Sequence, residues 1–192
     1  MRPVCVLDAC VLVPPGLRDL LLSLADVGVF RPVWQDTILD ETRRNGVMLL
    51  VDRGSTDAAA HKKMARTLEN MSTAFPDASL DEDEWTPLEA KCANHPKDRH
   101  VLAAAMAAAA THLVTDNLRD FPPASRPADL AVLKPDPFLL AMLDREPDAV
   151  LAGLRAMAAR HRNPAHTVQE LATTLSSAER TKRFGSRILA LL

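Results

Sequence analysis

The chain has 192 residues, 23 Lys and Arg against 25 Asp and Glu, a formal net charge of -2 and 47% hydrophobic residues. That length can bury a full core, and the balance of apolar and charged residues excludes a disordered chain. It also excludes a global positive field, so any nucleic-acid binding has to come from a local patch. Three cysteines, Cys5, Cys10 and Cys92, show neither C-x-x-C nor Cys/His zinc spacing, and we expect reduced thiols in a cytoplasmic protein.

Val4 to Leu7 is an apolar, β-branched run suited to a strand buried on both faces, and Asp8 closes it. The run is too short for a signal h-region or a membrane span. Leu17, Leu20, Leu21, Leu24 and Val27 keep helical spacing, with Gly28 as the stop. Val29 to Val33 is a short second strand that Pro32 confines to an edge or a strand end. Asp36 or Thr37 can cap a helix through Ile38 to Arg44 that ends near Asn45-Gly46. Glu41 shares a face with Ile38, so its carboxylate either snorkels at the rim or points into a cleft. Thr56 to Thr73 is helical, with Ala60, Met64, Leu68 and Met71 in step, whereas Asp81-Glu82-Asp83-Glu84, flanked by Pro76 and Pro87, reads as a loop.

The stretch from Lys97 to Phe121 organises the rest. Asp98 falls in the first turn of a helix after Pro96, where a carboxylate suits the unpaired N–H groups, and alanines from Ala103 to Ala110 carry that helix close against a sheet. His112 to Thr115 then forms a strand that stops at Asp116. Pro122-Pro123 marks a turn and Ala131 to Leu133 a last strand. Beyond Lys134-Pro135-Asp136-Pro137 only helices follow: Phe138 to Leu143, Ala149 to Ala159, Val168 to Leu175 and Ala178 to Leu191. Thr167…Glu170 and Ser176…Glu179 are both written as capping boxes. The expected architecture is α/β, a parallel sheet flanked by helices over residues 1-135, with a small all-α extension over residues 136-192.

Four acids share a topology. Asp8 and Asp116 end strands, Asp98 starts a helix, and Glu41 lies on another helix; in an open α/β sheet such positions converge on one crevice. Any one of them alone has an ordinary role as a cap or a solvated surface residue. Together, without matching cations, they repel and raise each other's pKa, which is the condition of a site that takes a metal. All-oxygen ligation suits Mg²⁺ or Mn²⁺ and phosphoryl chemistry.

Other chemistries lack support. There is no G-x-S-x-G, Walker-A loop or G-x-G-x-x-G. A haloacid-dehalogenase site wants a second Asp where Cys10 stands, and a receiver site wants an acidic pair near the first strand. His61, His95, His100, His112, His161 and His166 show no ligand spacing, His161 and His166 being separated by Pro164, and read as core or surface histidines. Arg155, Arg160, Arg162, Arg180, Lys182, Arg183 and Arg187 make the C-terminal helices basic, as a solvated surface or as contacts to an RNA backbone.

Val6 to Asp8, Ile38 to Asn45, Lys97 to Ala105 and Leu113 to Pro122 together carry a sequence that resembles a PIN domain of the VapC-type toxin ribonuclease group. The resemblance covers roughly Met1 to Pro135, and the helical tail resembles an extension found on some of these proteins. It implies an endoribonuclease dependent on Mg²⁺ or Mn²⁺, an RNA substrate, a cognate antitoxin protein as partner, a homodimer and no membrane association. Asp8, Glu41 and Asp98 match the family's first three acids. Two positions depart from it: Cys10 stands where many relatives have Ser or Thr, weakening a hydrogen bond there, and the fourth acid falls among Asp116, Asn117 and Asp120. We favour Asp116 as the metal-side acid and Asp120 as the second choice, with Thr115 and Asn117 as orienting residues. The alternative is a PIN-like module that binds RNA or protein without cleaving.

Overall fold

Val4–Leu7 forms β1, whose Cys5, Val6 and Leu7 are fully buried, as the unbroken apolar run requires. The computed structural model describes residues 2–160 and 167–192, so His161, Arg162 and His166 lie outside the described residues. After β1 come α1 (Ala9–Leu12), α2 (Pro15–Asp26), β2 (Arg31–Val33), α3 (Asp36–Asp52), α4 (Asp57–Ala74) and α5 (Glu82–Glu89). Next are α6 (Arg99–Ala107), β3 (His112–Val114) and β4 (Ala131–Leu133). The chain ends in α7 (Pro135–Arg145), α8 (Pro147–Arg160), α9 (Val168–Ser177) and α10 (Lys182–Leu189). The four strands make one parallel sheet in the order β2-β1-β3-β4. Pro32 sits on the outer strand, where its missing N–H costs no ladder bond.

Packing moves several helix ends from their sequence-based positions. The helix expected to end at Asn45-Gly46 runs on to Asp52, because Gly46 faces α4 and a Cβ there would lie 2.6 Å from the Met64 thioether. Its stop is Gly54, at φ 92°. Its cap is Gln35, whose side chain accepts from Thr37 N and Ile38 N, rather than Asp36 or Thr37. The acidic run at Asp81 opens a helix, not a loop: three acids fill the first turn of α5, where the dipole favours them, and Glu84 Oε2 accepts from Asp81 N at 2.8 Å. In the tail the Thr167/Glu170 box forms, but Ser176 lies inside α9 and its hydroxyl donates to Thr173 O.

The alanine helix is shorter than its composition suggests. α6 ends at Ala107, and Ala109 takes φ 47°, with Ala110 N donating to Ala105 O at 2.8 Å and Ala109 N to Met106 O at 3.2 Å. Gly28 closes α2 in the same geometry, with Val29 N on Leu24 O and Gly28 N on Ala25 O.

One hydrophobic cluster runs through the sheet and into the C-terminal helices. Phe138 of α7 is fully buried edge-on to Phe30, with ring centroids 5.2 Å apart. Gly153 of α8 sits so close to α2 that a Cβ would lie 2.8 Å from Leu24 Cδ2. Residue 135 marks a change from α/β to all-α, with side chains on both sides of it in one core.

Ala109 carries a left-handed conformation that costs an L-residue with a Cβ. Ala109→Gly is expected to stabilise the protein by about 1 kcal/mol, seen as a higher urea midpoint at unchanged slope. An unchanged or lower midpoint would refute the strain.

Candidate active site

The sheet's register builds the centre of the site. Leu7 pairs with Val114, and the ladder extends one step further as Asp8 N donates to Val114 O at 3.2 Å. Asp8 and Thr115 are thus side by side where β1 and β3 run out, at the carboxyl ends where an open parallel sheet binds its ligands. Thr115 Oγ1 donates to Asp8 Oδ2 at 2.6 Å, and Cys10 Sγ donates to the same oxygen at 3.2 Å. The thiol keeps the hydrogen bond expected of a hydroxyl, in a longer and weaker form. Burial and then the charge of Asp8 push the Cys10 thiol up to about 12, so it stays protonated as a donor.

Asp98 is the residue that precedes α6, at the end of a 3-10 turn over Pro96–Asp98, rather than in the helix's first turn. Its Oδ2 lies 3.5 Å from His95 Nδ1. Burial, then the charges of Asp120 and Asp8, hold its carboxyl above the usual range, against a smaller opposing pull from His100 and His95. Glu41 reaches in from α3, and its Oε2 lies 3.6 Å from His100 Nε2.

Sequence reasoning missed His100. It is 6% exposed, and although burial disfavours its charged form, Glu41, Asp8 and Asp98 outweigh that and raise its pKa above the ordinary value. Its position in the first turn of a helix is the overlooked signal: the dipole there disfavours a cation, so a buried histidine needs carboxylates facing it.

The segment after β3 separates the candidates for the fourth acid. Asp116 N donates to Cys10 Sγ at 3.3 Å, and its carboxylate lies 3.0 Å from Arg180 Nη2, an ion pair off the hydrogen-bond direction. Asn117 N donates to Thr115 Oγ1 at 3.0 Å, and the Asn117 side-chain amide donates to Asp120 Oδ2. Asp120 and Asp8 are the acids whose charges act against Asp98. The carboxylates offer the hard oxygen donors that a divalent cation takes, and the repulsion that His95 and His100 offset only in part is what such an ion would relieve. Among the described residues no three of the His, Cys, Asp and Glu side chains close on one point, so the acids stand in an open arrangement around the strand ends.

A model of the PIN domain matches residues 4–119, and the chain belongs to the PIN domain family. A model of the VapC50 C-terminal domain matches residues 135–188. The chain is 38% identical over 104 residues to a Mycobacterium tuberculosis protein named "Putative ribonuclease VapC50", an alignment that spans 54% of this chain and 60% of that relative's length. No solved structure matches the chain. Among the described residues no helix is long and apolar enough to cross a membrane.

Two outcomes follow from this geometry. Because the native state binds a proton at Asp98 more readily than the unfolded chain does, the repulsion it carries is fully present above its raised pKa and is relieved as pH falls toward the unfolded value. Asp98→Asn is therefore expected to raise the melting temperature of metal-free protein at neutral pH, with the advantage shrinking in acid; a lowered melting temperature would contradict it. Thr115→Val removes a hydrogen bond to a buried carboxylate and is expected to cost about 2 kcal/mol, read from urea unfolding.

Proposed function

We propose that the chain is a metal-dependent endoribonuclease, the toxin of a type II toxin-antitoxin pair, hydrolysing RNA phosphodiester bonds with Mg²⁺ or Mn²⁺. The observation that carries this reading is the Asp8 carboxylate held on Oδ2 by Thr115 and Cys10 where the two central strands run out, with Asp98 near enough to feel its charge and that of Asp120. Asp8, Glu41 and Asp98 would hold the ion, with a fourth acid from the segment after β3. Asp120 suits that place better than Asp116, because Asp116 faces Arg180 while Asp120 acts on Asp98.

When bound, the ion supplies activation of water and stabilisation of the charge that develops on the phosphate. The chain's own groups do the positioning. Thr115 and Cys10 both donate to Asp8 Oδ2, which leaves Oδ1 for ligation, and Asn117 plays the same part for Asp120. His100 Nε2, 3.6 Å from Glu41 Oε2, would hold the Glu41 carboxylate by charge. An RNA substrate and a cognate antitoxin belong to this reading, which the family membership and the name of the mycobacterial relative support, and a homodimeric state is part of the proposal.

The open geometry favours a second reading, a PIN-like module that binds RNA or protein without cleaving. Mn²⁺ titration of the purified chain separates the two. On the nuclease reading, structured RNA is cut with Mg²⁺ or Mn²⁺, cutting stops in EDTA and returns with Mn²⁺, and Asp8→Asn or Asp98→Asn lowers the rate about a hundredfold. Asp120→Asn should lose more Mn²⁺ affinity than Asp116→Asn. Cutting that persists in EDTA and in both the Asp8 and Asp98 variants would sink the proposal.

A further inference from the structure

Arg180 belongs to the C-terminal extension, yet its guanidinium lies against the site. It stands in a 3-10 turn, Glu179–Thr181, that joins α9 to α10. Nη1 donates to Cys10 O at 3.3 Å and Nη2 is 3.0 Å from Asp116 Oδ2. Cys10 and Asp116 are not remote from the chemistry: the first donates to Asp8, and the second follows the threonine that does.

The backbone that carries Arg180 is fixed on three sides. Thr181 Oγ1 donates to Leu175 O at 2.8 Å inside the protein. Asp136, 9% exposed, accepts from Phe184 N at 2.8 Å and Arg183 N at 3.3 Å, which ties the start of α10 to α7. Gly185 passes the α9 backbone so closely that a Cβ would lie 2.3 Å from Ser176 N. A solvated basic surface does not need this anchoring. The Arg180 side chain is 44% exposed, and its two contacts use only part of a five-donor fork.

We propose that Arg180 is a substrate-binding residue of this site, a guanidinium lent by the C-terminal extension to hold an RNA backbone phosphate beside the acids. The inference rests on the nuclease reading given above. Four carboxylates, Asp8, Glu41, Asp98 and Asp120, repel a polyanion, and a divalent ion offsets only half of that charge. A fixed cation at the rim supplies what the cleft lacks, and arginine matches phosphate with two parallel N–H donors. Asp116 then serves as the charge that holds the guanidinium at the rim, while the hydrogen bond from Nη1 to Cys10 O fixes its direction and leaves other donors for a phosphate. Because the contact is to Asp116 and to a carbonyl, it leaves Asp8, Glu41 and Asp98 open, which is the arrangement of a binding residue and not of a plug.

The test uses the full chain and a fluorescently labelled single-stranded RNA. Binding is followed by anisotropy in EDTA over a series of KCl concentrations, and cleavage separately with Mn²⁺. Arg180→Ala should weaken binding about five- to tenfold and reduce the slope of log Kd against log salt by about 0.7, the share of one phosphate on a single strand. Arg180→Lys should keep the slope and recover part of the affinity, since it retains the charge without the fork. In cleavage the alanine variant should raise KM with kcat little changed, and circular dichroism of both variants should match the parent. An unchanged slope in Arg180→Ala, or faster cleavage than the parent, would overturn the proposal, the second by showing an autoinhibitory contact. A parent protein that cuts nothing with Mn²⁺ would instead remove the nuclease reading, and the assignment of Arg180 to an RNA phosphate with it.

Discussion

The hydrogen bond from Thr115 to Asp8 is the interaction on which the site depends, and it exists because β1 and β3 are parallel neighbours in one register. A slip of one residue would turn Asp8 or Thr115 to the opposite face of the sheet. The ladder bond from Asp8 N to Val114 O carries that register one step beyond the paired residues of β1 and β3. Everything else at the site is arranged around an Asp8 carboxylate held on one oxygen.

The site carries a cost that the rest of the fold absorbs. Burial and the charges of Asp120 and Asp8 hold the Asp98 carboxyl above its ordinary range, and His100 and His95 offset only part of that. The surplus comes from a core that is not confined to the α/β part: Phe138 on Phe30 and Gly153 against Leu24 join the C-terminal helices to the sheet layer. The same helices seat Arg180 at the cleft, so stability and charge balance at the site come from one segment.

Much of this was legible in the sequence. The strands at Val4–Leu7 and Ala131–Leu133, the edge position of Pro32 and the helical tail all follow from local pattern. Helix ends were less legible: Gly46 stays helical because of what lies across from it, Met64, and Ala109 turns left-handed where a glycine is the usual choice. That Asp8 ends a strand and that Asp98 stands at the start of a helix followed from local pattern. His100 and Arg180 did not, since each gains its meaning from a partner far away in the chain, Glu41 for the first and Asp116 for the second.

The narrowness of the sheet bears on how copies of this chain can meet. Both outer strands, β2 and β4, have only three residues. Pro32 removes a donor from one, and Pro135 opens the helix that follows the other. Short, proline-bounded edges make poor templates for strand addition. Self-association through a continued sheet is thereby disfavoured, and the protein is guarded against the edge-to-edge stacking that threatens β-rich chains at high concentration. What remains for recognition is the helical exterior, where side chains rather than backbone decide which partner fits.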